Sequence, residues 1–335
     1  MIYNNLYVIS ALREEADSAP TARTHLATEP GKKRERAERT EPPEPPLINL
    51  IYEYLGRMVR VVRKEHPVAL EGADPEGVHQ MRVAIRRTRS VLKMFRDMLP
   101  DAETVKLDSE LRWLARTLGH VRDADVYGET FHRHVESLPD KERAALEPYG
   151  QYLREAADEA RRQLHLALTG ERCEKLLRQF EQFVEAGPST AYLRRYGGRS
   201  VAEDADRHVH RMVRKVIKRG RRIGPDSPPE ALHRLRIDGK RLRYLLEFFS
   251  SASPERWRPL LKATKRLQDV LGEHQDACVA RERITQYANE VPASDADARS
   301  SFIALGRLLQ IEEDRMIRNR ARFAKAWEHF EKRCR

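Results

Sequence analysis

Two stretches of this sequence repeat each other, and this repeat limits the fold more than any other feature does. Residues 78–95 align without gaps with residues 232–249, which lie 154 positions further along the chain. The identical pairs are His79/His233, Arg82/Arg236, Arg87/Arg241, Arg89/Arg243, Leu92/Leu246 and Phe95/Phe249. Two further blocks recur in the same order, at 57–60 and 211–214 and at 111–126 and 264–279. Three blocks in one order predict a duplicated structural unit.

From Leu47 onward, apolar residues recur at three- and four-residue intervals, which predicts α-helices and no strands. The predicted helices cover 47–65, 77–99, 104–135, 141–168, 171–185, 200–221, 229–250, 255–289 and 296–332. Asp74-Pro75 and Ser227-Pro228-Pro229-Glu230 have the residue order of helix N-termini, with Asp74 and Ser227 as the capping residues. We therefore expect an all-α fold of two pseudo-symmetric helical bundles, with about four helices in each.

The repeat also sets the expected domain boundaries. We place the first copy at about 47–186 and the second at about 199–335, joined by a segment that contains Gly and Pro, 187–198. Residues 1–46 are polar, carry charges of both signs and repeated Pro, and have no apolar period. Such a composition is typical of a disordered segment.

The charge of the chain favours a polyanionic partner. Lys and Arg number 63 against 52 Asp and Glu, a net charge of +11. The excess lies outside residues 1–45, so we expect a basic folded body that suits nucleic acid, a phosphate polymer or a membrane surface. No run approaches the roughly 18 apolar residues of a membrane-spanning helix, and we expect no secretory signal at the N-terminus. Three scattered cysteines exclude a disulfide framework and fit a cytoplasmic location.

Each copy of the repeated helix carries a basic stripe. At about 100° per residue, the stripe of the first copy falls within a quarter-turn and contains His79, Arg82, Arg86, Arg89 and Lys93. The stripe of the second copy contains His233, Arg236, Lys240 and Arg243. We call these sets the first rail and the second rail. Like charges at this spacing destabilise an isolated helix, and neither rail contains an acid. We therefore expect an external anion, and Arg binds phosphate oxygens through paired hydrogen bonds.

Other repeated polar residues have both a functional and a structural interpretation. The candidate second-line phosphate contacts are Arg60, Arg112, Arg214 and Lys265. Asp123 and Asp276 could serve a metal or a base, but one acid per half makes a poor hydrolase site, so ion pairs with rail arginines are favoured. His79 and His233 lack a second ligand at i+4, so hydrogen bonding to phosphate or protein ranks above metal binding. Neighbouring cations should lower a histidine pKa.

At these residues the sequence resembles the CHAD family, named for histidines in an α-helical domain. The resemblance rests on VHQMRVAIRRTRSVLKMF and LGHVRDADV in the first half, and on LHRLRIDGKRLRYLLEF and LKATKRLQDVLGEHQDA in the second. It covers the chain from about Leu47 to near the C-terminus. The resemblance implies a basic groove between two bundles, inorganic polyphosphate as the ligand and association with polyphosphate granules. The family's ligand contacts then correspond to His79, Arg82, Arg86, Arg89, His233, Arg236, Lys240 and Arg243. The second copy departs from the first at Asp238-Gly239, in place of Ala84-Ile85.

We therefore expect non-enzymatic binding of inorganic polyphosphate in the cytoplasm, without a metal or cofactor and with no membrane partner. A nucleic-acid-binding protein is the first alternative. We rank it second because stacking on bases needs aromatic residues among the cations, and the rails offer only Tyr244. A metal-dependent phosphohydrolase is the other alternative, and it requires convergence of His79, His233, Asp123 and Asp276. No P-loop, HExxH motif or nucleophile elbow gives positive support for catalysis.

Overall fold

The computed structural model describes residues 46–290 and 298–334. Within these ranges the chain forms eleven α-helices and no strand, which confirms the all-α prediction. The helices are α1 (Leu47–Glu71), α2 (Pro75–Met94), α3 (Asp101–Glu136), α4 (Asp140–Ala145), α5 (Glu147–Thr169), α6 (Glu171–Glu185), α7 (Thr190–Tyr196), α8 (Val201–Gly220), α9 (Pro229–Phe249), α10 (Pro254–Glu290) and α11 (Ala298–Arg333). None of the described helices is long and apolar enough to cross a bilayer. The segment predicted to be disordered, 1–46, lies outside the described residues except for Pro46.

The order of helices follows the sequence repeat. Helices α8 and α9 begin 154 residues after α1 and α2, and α10 begins 153 residues after α3. In the first half α2 packs between α1 and α3, and in the second half α9 packs between α8 and α10. Equivalent helices therefore have equivalent neighbours, as a duplicated unit requires. The duplication itself remains a prediction from the sequence repeat.

The two halves differ in how they end. In the second half the long helix α11 packs along α10, which gives the four helices expected of that half. In the first half the corresponding part of the chain forms three helices, α4, α5 and α6, which all contact α3. Helix α7 lies inside the predicted linker 187–198, so this linker is partly helical. Helix α4 packs against α11 and so joins the ends of the two halves.

Helices α2 and α9 contact each other at the junction of the two halves. Arg87 of α2 forms an ion pair with Glu247 of α9 at 3.0 Å, and Lys93, later on α2, lies near Arg241, earlier on α9. Residues later on α2 thus meet residues earlier on α9, so the two helices cross in opposite directions. Phe95 and Phe248 pack beneath this crossing, with ring centroids 5.0 Å apart.

Apolar burial decides which face of each junction helix remains accessible. Helix α2 buries Met81 and Ile85 completely, and α9 buries Leu242 and Leu246. These side chains join one hydrophobic core that extends across both halves. Because the buried residues occupy one side of each helix, the rails are left on the other side.

One of the two predicted helix caps forms as expected. The backbone N–H of Glu76 donates to the Asp74 carboxylate at 2.8 Å, and Pro75 occupies the first turn of α2. The predicted cap at Ser227 is wrong. Helix α9 begins at Pro229, so its capping position falls on Pro228, which has no side-chain acceptor. The Ser227 hydroxyl instead accepts from the backbone N–H of Gly224 at 2.9 Å.

Candidate functional site: a cationic cluster at the crossing of α2 and α9

Four rail cations come together where α2 and α9 cross. Arg82 and Arg86 come from α2, and Arg236 and Lys240 come from α9. The charges of all three arginines act on the Lys240 ammonium group. The Arg86 guanidinium also lies over the ring of Tyr244, 5.5 Å from its centroid. The two rails therefore meet at one surface, and we call these four residues the central cluster.

The central cluster is short of negative charge. Burial and the charges of Arg86, Arg236 and Arg82 lower the pKa of Lys240 from 10.5 to about 7. Burial, followed by the charge of Arg86, also lowers the pKa of Arg82. The Nε atom of Arg236 is buried without a hydrogen-bond partner among the described residues. Cations held this close without matching acids have a strong affinity for an added anion.

Two aspartates stand beside the central cluster, one from each half. Asp123 of α3 forms an ion pair with Arg82 at 3.2 Å, and its side chain remains largely exposed. Asp276 of α10 acts on Arg236 and Lys240 at longer range and forms no ion pair. Burial raises the pKa of Asp276, although its side chain is accessible to water. Neither aspartate neutralises the cluster.

The outer end of the first rail is partly neutralised by α3. Arg89 pairs with Asp108 at 2.8 Å, and Lys93 lies 3.8 Å from the same carboxylate. The candidate second-line residue Arg112 also reaches Asp108, at 3.3 Å. The expectation that the rails lack acidic neighbours thus holds along α2 itself but not after α3 has packed. Three cations share one carboxylate here, so this end keeps a net positive charge.

The outer end of the second rail has a different balance. Arg243 pairs with Glu247 on its own helix at 2.8 Å, and Glu247 also holds Arg87 of α2. Burial opposes ionisation of Glu247, yet the two arginines hold its pKa below the ordinary value. The candidate second-line residue Lys265 lies in the same group, and burial is the main reason that its pKa is lowered. Asp269 also acts on Arg243 and Lys265, so this end has two carboxylates for three cations and is closer to neutral than the Asp108 end.

The two repeated histidines have different surroundings. Burial is the main cause of the lowered pKa of His79, and the charges of Arg122, Arg82 and Arg86 add to it. The expected direction is therefore found, although burial outweighs the cations. His79 Nδ1 is buried without a partner among the described residues, whereas His233 Nδ1 lies 2.6 Å from Gln275 Oε1. Arg122 was missed from the sequence because its counterpart in the internal repeat is Gln275, so the repeat does not pair it with a second cation.

The other two second-line candidates lie apart from the central cluster. Arg60 is an exposed residue of α1, and its guanidinium lies near Gly56, on the side of α1 that meets Val184 of α6. Arg214 is an exposed residue of α8 and lines a cleft beside Glu331 of α11. Among the described residues, neither forms a hydrogen bond or an ion pair with a rail.

The four residues required by the phosphohydrolase alternative do not assemble into a metal site. Asp123 and Asp276 are close enough for their charges to interact. However, nowhere in 46–290 and 298–334 do three His, Cys, Asp or Glu side chains form a group suited to a metal ion. His233 is instead engaged with Gln275.

The departure at Asp238-Gly239 has a structural role. The Asp238 side chain is almost completely buried and pairs with Lys215 at 3.0 Å, with Arg219 and with Arg241. Gly239 faces the amide of Gln268 so closely that a Cβ atom would collide with it. The second copy of the helix therefore packs through a buried charge cluster where the first copy packs through Ala84 and Ile85. The two halves are therefore inequivalent at this position.

Comparison with known proteins places this geometry in a family. The family model of the CHAD domain matches residues 53–285. Two uncharacterized proteins of Mycobacterium tuberculosis, from strains CDC 1551 / Oshkosh and ATCC 25618 / H37Rv, are each 31% identical over 273 residues. These matches cover 78% of this chain and 49% of each relative, so the chain spans about half the length of the curated relatives it matches.

Solved structures have the same fold. The crystal structure of the CHAD domain from the plant Ricinus communis matches with a TM-score of 0.63 and 26% identity, over 88% of this chain and 96% of that one. PptA from Streptomyces chartreusis matches with a TM-score of 0.67 and 18% identity, over 85% of this chain and 100% of that one, and shows the fold alone. By sequence motifs, family model and fold, the chain belongs to the CHAD domain family.

Proposed function

We propose that this chain binds inorganic polyphosphate at the central cluster and does so without cleaving it. The convergence of four cations from two helices carries the proposal, and the pKa of Lys240, which burial and three guanidinium groups lower to about 7, agrees with it. Cations held this close repel each other and destabilise the fold, and a bound polyanion would offset that repulsion. Charge-assisted contacts from Arg82, Arg86 and Arg236 to phosphate oxygens are the stabilising interactions expected.

The arrangement of the rails favours an extended phosphate chain over a single phosphate. The first rail continues from the central cluster to Lys93, and the second continues to Arg243, so cations are available on both sides of the crossing. Tyr244, the aromatic residue nearest the cluster, already packs against Arg86 and offers little to a nucleic-acid base. The resemblance to the CHAD family adds an independent reason, since that family is associated with polyphosphate. Residence at polyphosphate granules in the cytoplasm is part of the proposal.

The proposal is tested by reversing charge at the central cluster. The double variant Arg86→Glu with Lys240→Glu should lose affinity for long polyphosphate by about 100-fold, because it removes two charge-assisted contacts. The control is Lys106→Glu with Lys175→Glu, which makes the same change in net charge at exposed positions of α3 and α6. Circular dichroism should give equal helicity for both variants, and the control should lose affinity only slightly.

Competition experiments separate the proposal from its alternatives. Long polyphosphate, short polyphosphate and single-stranded DNA are compared at one ionic strength, with and without Mg²⁺. Equal or tighter binding of DNA to the central cluster would favour the nucleic-acid alternative. Release of phosphate that requires Mg²⁺ and is lost in His79→Ala would favour the phosphohydrolase. Unchanged polyphosphate binding by the Arg86/Lys240 variant would refute the site.

A further inference from the structure

The exposed face of α8 is a second strongly cationic surface. Between Arg207 and Arg222 the chain has eight Lys and Arg residues and no Asp or Glu. Five of them share one side of the helix and its C-terminal extension, and all five are exposed: Arg207, Arg211, Arg214, Lys218 and Arg222. We call these five residues the α8 ridge. At 1.5 Å per residue the ridge is about 22 Å long.

Most of the α8 ridge has no acidic partner. Arg207 pairs with Asp204 at 3.2 Å, and Arg211 donates to the ring of His208 at 2.9 Å. In the described part of the chain, no carboxylate forms an ion pair with Arg211, Arg214, Lys218 or Arg222. The carboxylates nearby are occupied, since Asp238 holds the flanking Lys215 and Arg219. The ridge is therefore not a set of internal salt bridges.

Two ordinary explanations for a basic helix do not account for the ridge. The helix dipole favours cations in the last turn, which includes Lys218 but not Arg211 or Arg214. The sequence repeat does not explain the ridge either, because the positions on α1 that correspond to its two ends hold Glu53 and Val68. The complete ridge is a property of α8 alone.

A cleft beside the ridge adds a place for a phosphate group. It lies between α8 and α11 and has a volume of about 560 Å³. Four cations line it, Arg214, Lys218, Arg221 and Arg222. Its one lining carboxylate, Glu331, is already paired with Arg221. The cleft has the charge of an anion site, and none of its lining residues belongs to the central cluster.

We propose that the α8 ridge and its cleft bind the phosphate backbone of double-stranded nucleic acid, without reading its sequence. A straight row of cations about 22 Å long spans roughly two-thirds of a duplex turn. The exposed residues of α8 include no Phe, Tyr or Trp on which single-stranded bases could stack. None of the large exposed hydrophobic side chains lies on α8, so the ridge has no anchor for a lipid surface. The ridge is separate from the polyphosphate proposal and does not depend on it.

The test uses the full chain and a fluorescent random-sequence DNA duplex, with binding measured by anisotropy at several KCl concentrations. The ridge variant is Arg211→Glu, Lys218→Glu and Arg222→Glu. It should weaken duplex binding at least tenfold and reduce the slope of log affinity against log salt by roughly 2 to 3, since each phosphate contact contributes about 0.9. The control is Lys106→Glu, Lys141→Glu and Lys175→Glu, with the same charge change dispersed over α3, α4 and α6.

The outcomes distinguish this inference from the polyphosphate proposal. The Arg86/Lys240 variant should lose polyphosphate but bind duplex as the unmodified chain does, whereas the ridge variant should do the reverse. Equal duplex affinity in the ridge variant and the dispersed control would overturn the inference. The inference would also be overturned if the unmodified chain bound no duplex at any salt concentration and the ridge variant lost binding only to vesicles rich in anionic lipid.

Discussion

Lys240 should make polyphosphate binding depend on pH above neutrality. Without a ligand, burial and its arginine neighbours hold the pKa of Lys240 at about 7, against an ordinary value of 10.5. A bound polyanion favours the protonated amine and raises this pKa. Below pH 7 the lysine is charged in both states, so it contributes no pH dependence to the affinity there. Above pH 7 binding requires uptake of a proton, and affinity falls by up to about tenfold for each pH unit.

The size of this effect is set by how far water reaches the amine. Lys240 is half-buried, so screening by water makes the affinity fall by less than tenfold for each pH unit. We expect a loss of roughly 10- to 30-fold between pH 7 and pH 9. Calorimetric titration in buffers of different ionisation enthalpy measures the proton directly, and uptake should rise from about half a proton at pH 7 towards one near pH 8.5. His79, whose pKa is lowered from 6.5 in the unliganded protein, adds proton uptake that begins at a lower pH than that of Lys240.

The same shift has the opposite consequence for stability. The folded protein binds the Lys240 proton more weakly than the unfolded chain does, so this residue destabilises the fold at and below pH 7. The destabilisation is relieved as pH rises from 7 towards 10.5. Lys240→Met should therefore stabilise the unliganded protein by roughly 1 to 2 kcal/mol at pH 6 while it weakens polyphosphate binding. Proton uptake at pH 8.5 that persists in Lys240→Met, or is absent in the unmodified chain, would refute the reasoning.

Three further substitutions follow from the contacts of the structure. Asp123→Asn removes the partner of Arg82 and should tighten polyphosphate binding by about threefold in a direct titration. Asp238→Asn leaves three cations around a buried position without their carboxylate, and should lower the free energy of unfolding in urea by about 3 kcal/mol. Gly220→Ala drives a Cβ atom into the Trp327 ring and should cost about 2 kcal/mol, measured as a lower Tm.

Each of these substitutions has a control or a contradicting result. Weaker polyphosphate binding by Asp123→Asn would mean that this carboxylate orders Arg82 rather than competing with the ligand. Urea unfolding of Asp238→Asn at the unmodified midpoint would mean that water already screens the cluster. For Gly220→Ala the control is Gly128→Ala, whose Cβ meets no atom within 4 Å and which should be neutral or slightly stabilising. Equal melting temperatures for the two glycine variants would contradict the packing argument.

Helical periodicity and the repeat were sufficient to predict the fold class and the starts of the main helices. The spacing of apolar residues indicates a local helical geometry, and the repeat predicts the same geometry for the second copy. The cap at Ser227 could not be predicted in the same way, because one additional proline moves the first helical residue and with it the capping position. The helical turn α7 inside the predicted linker was missed since Gly and Pro flank it closely.

The rails could be predicted because their residues share one helix face, and the repeat also predicted that Asp123 pairs with a rail arginine, but the partners Asp108 and Glu247 could not be predicted. Asp108 and Asp123 belong to α3, and only packing brings them to Arg89 and Arg82. Arg87 was recognised as a repeated residue off the rail, and its link to Glu247 depends on how α2 crosses α9. Contacts between separate helices have no period in the sequence, so the neutralised parts of the site emerge only with the tertiary structure.

The crossing of α2 and α9 is asymmetric in charge. At one end Arg87 meets Glu247, while the equivalent place at the other end holds Arg241 near Lys93. Glu247 occupies the position in the second copy that Lys93 occupies in the first, so one end of the crossing has an attraction between the helices where the other end has a repulsion. This one difference between lysine and glutamate makes the two ends of a duplicated crossing unequal, because only one of them is held by an ion pair across the helices.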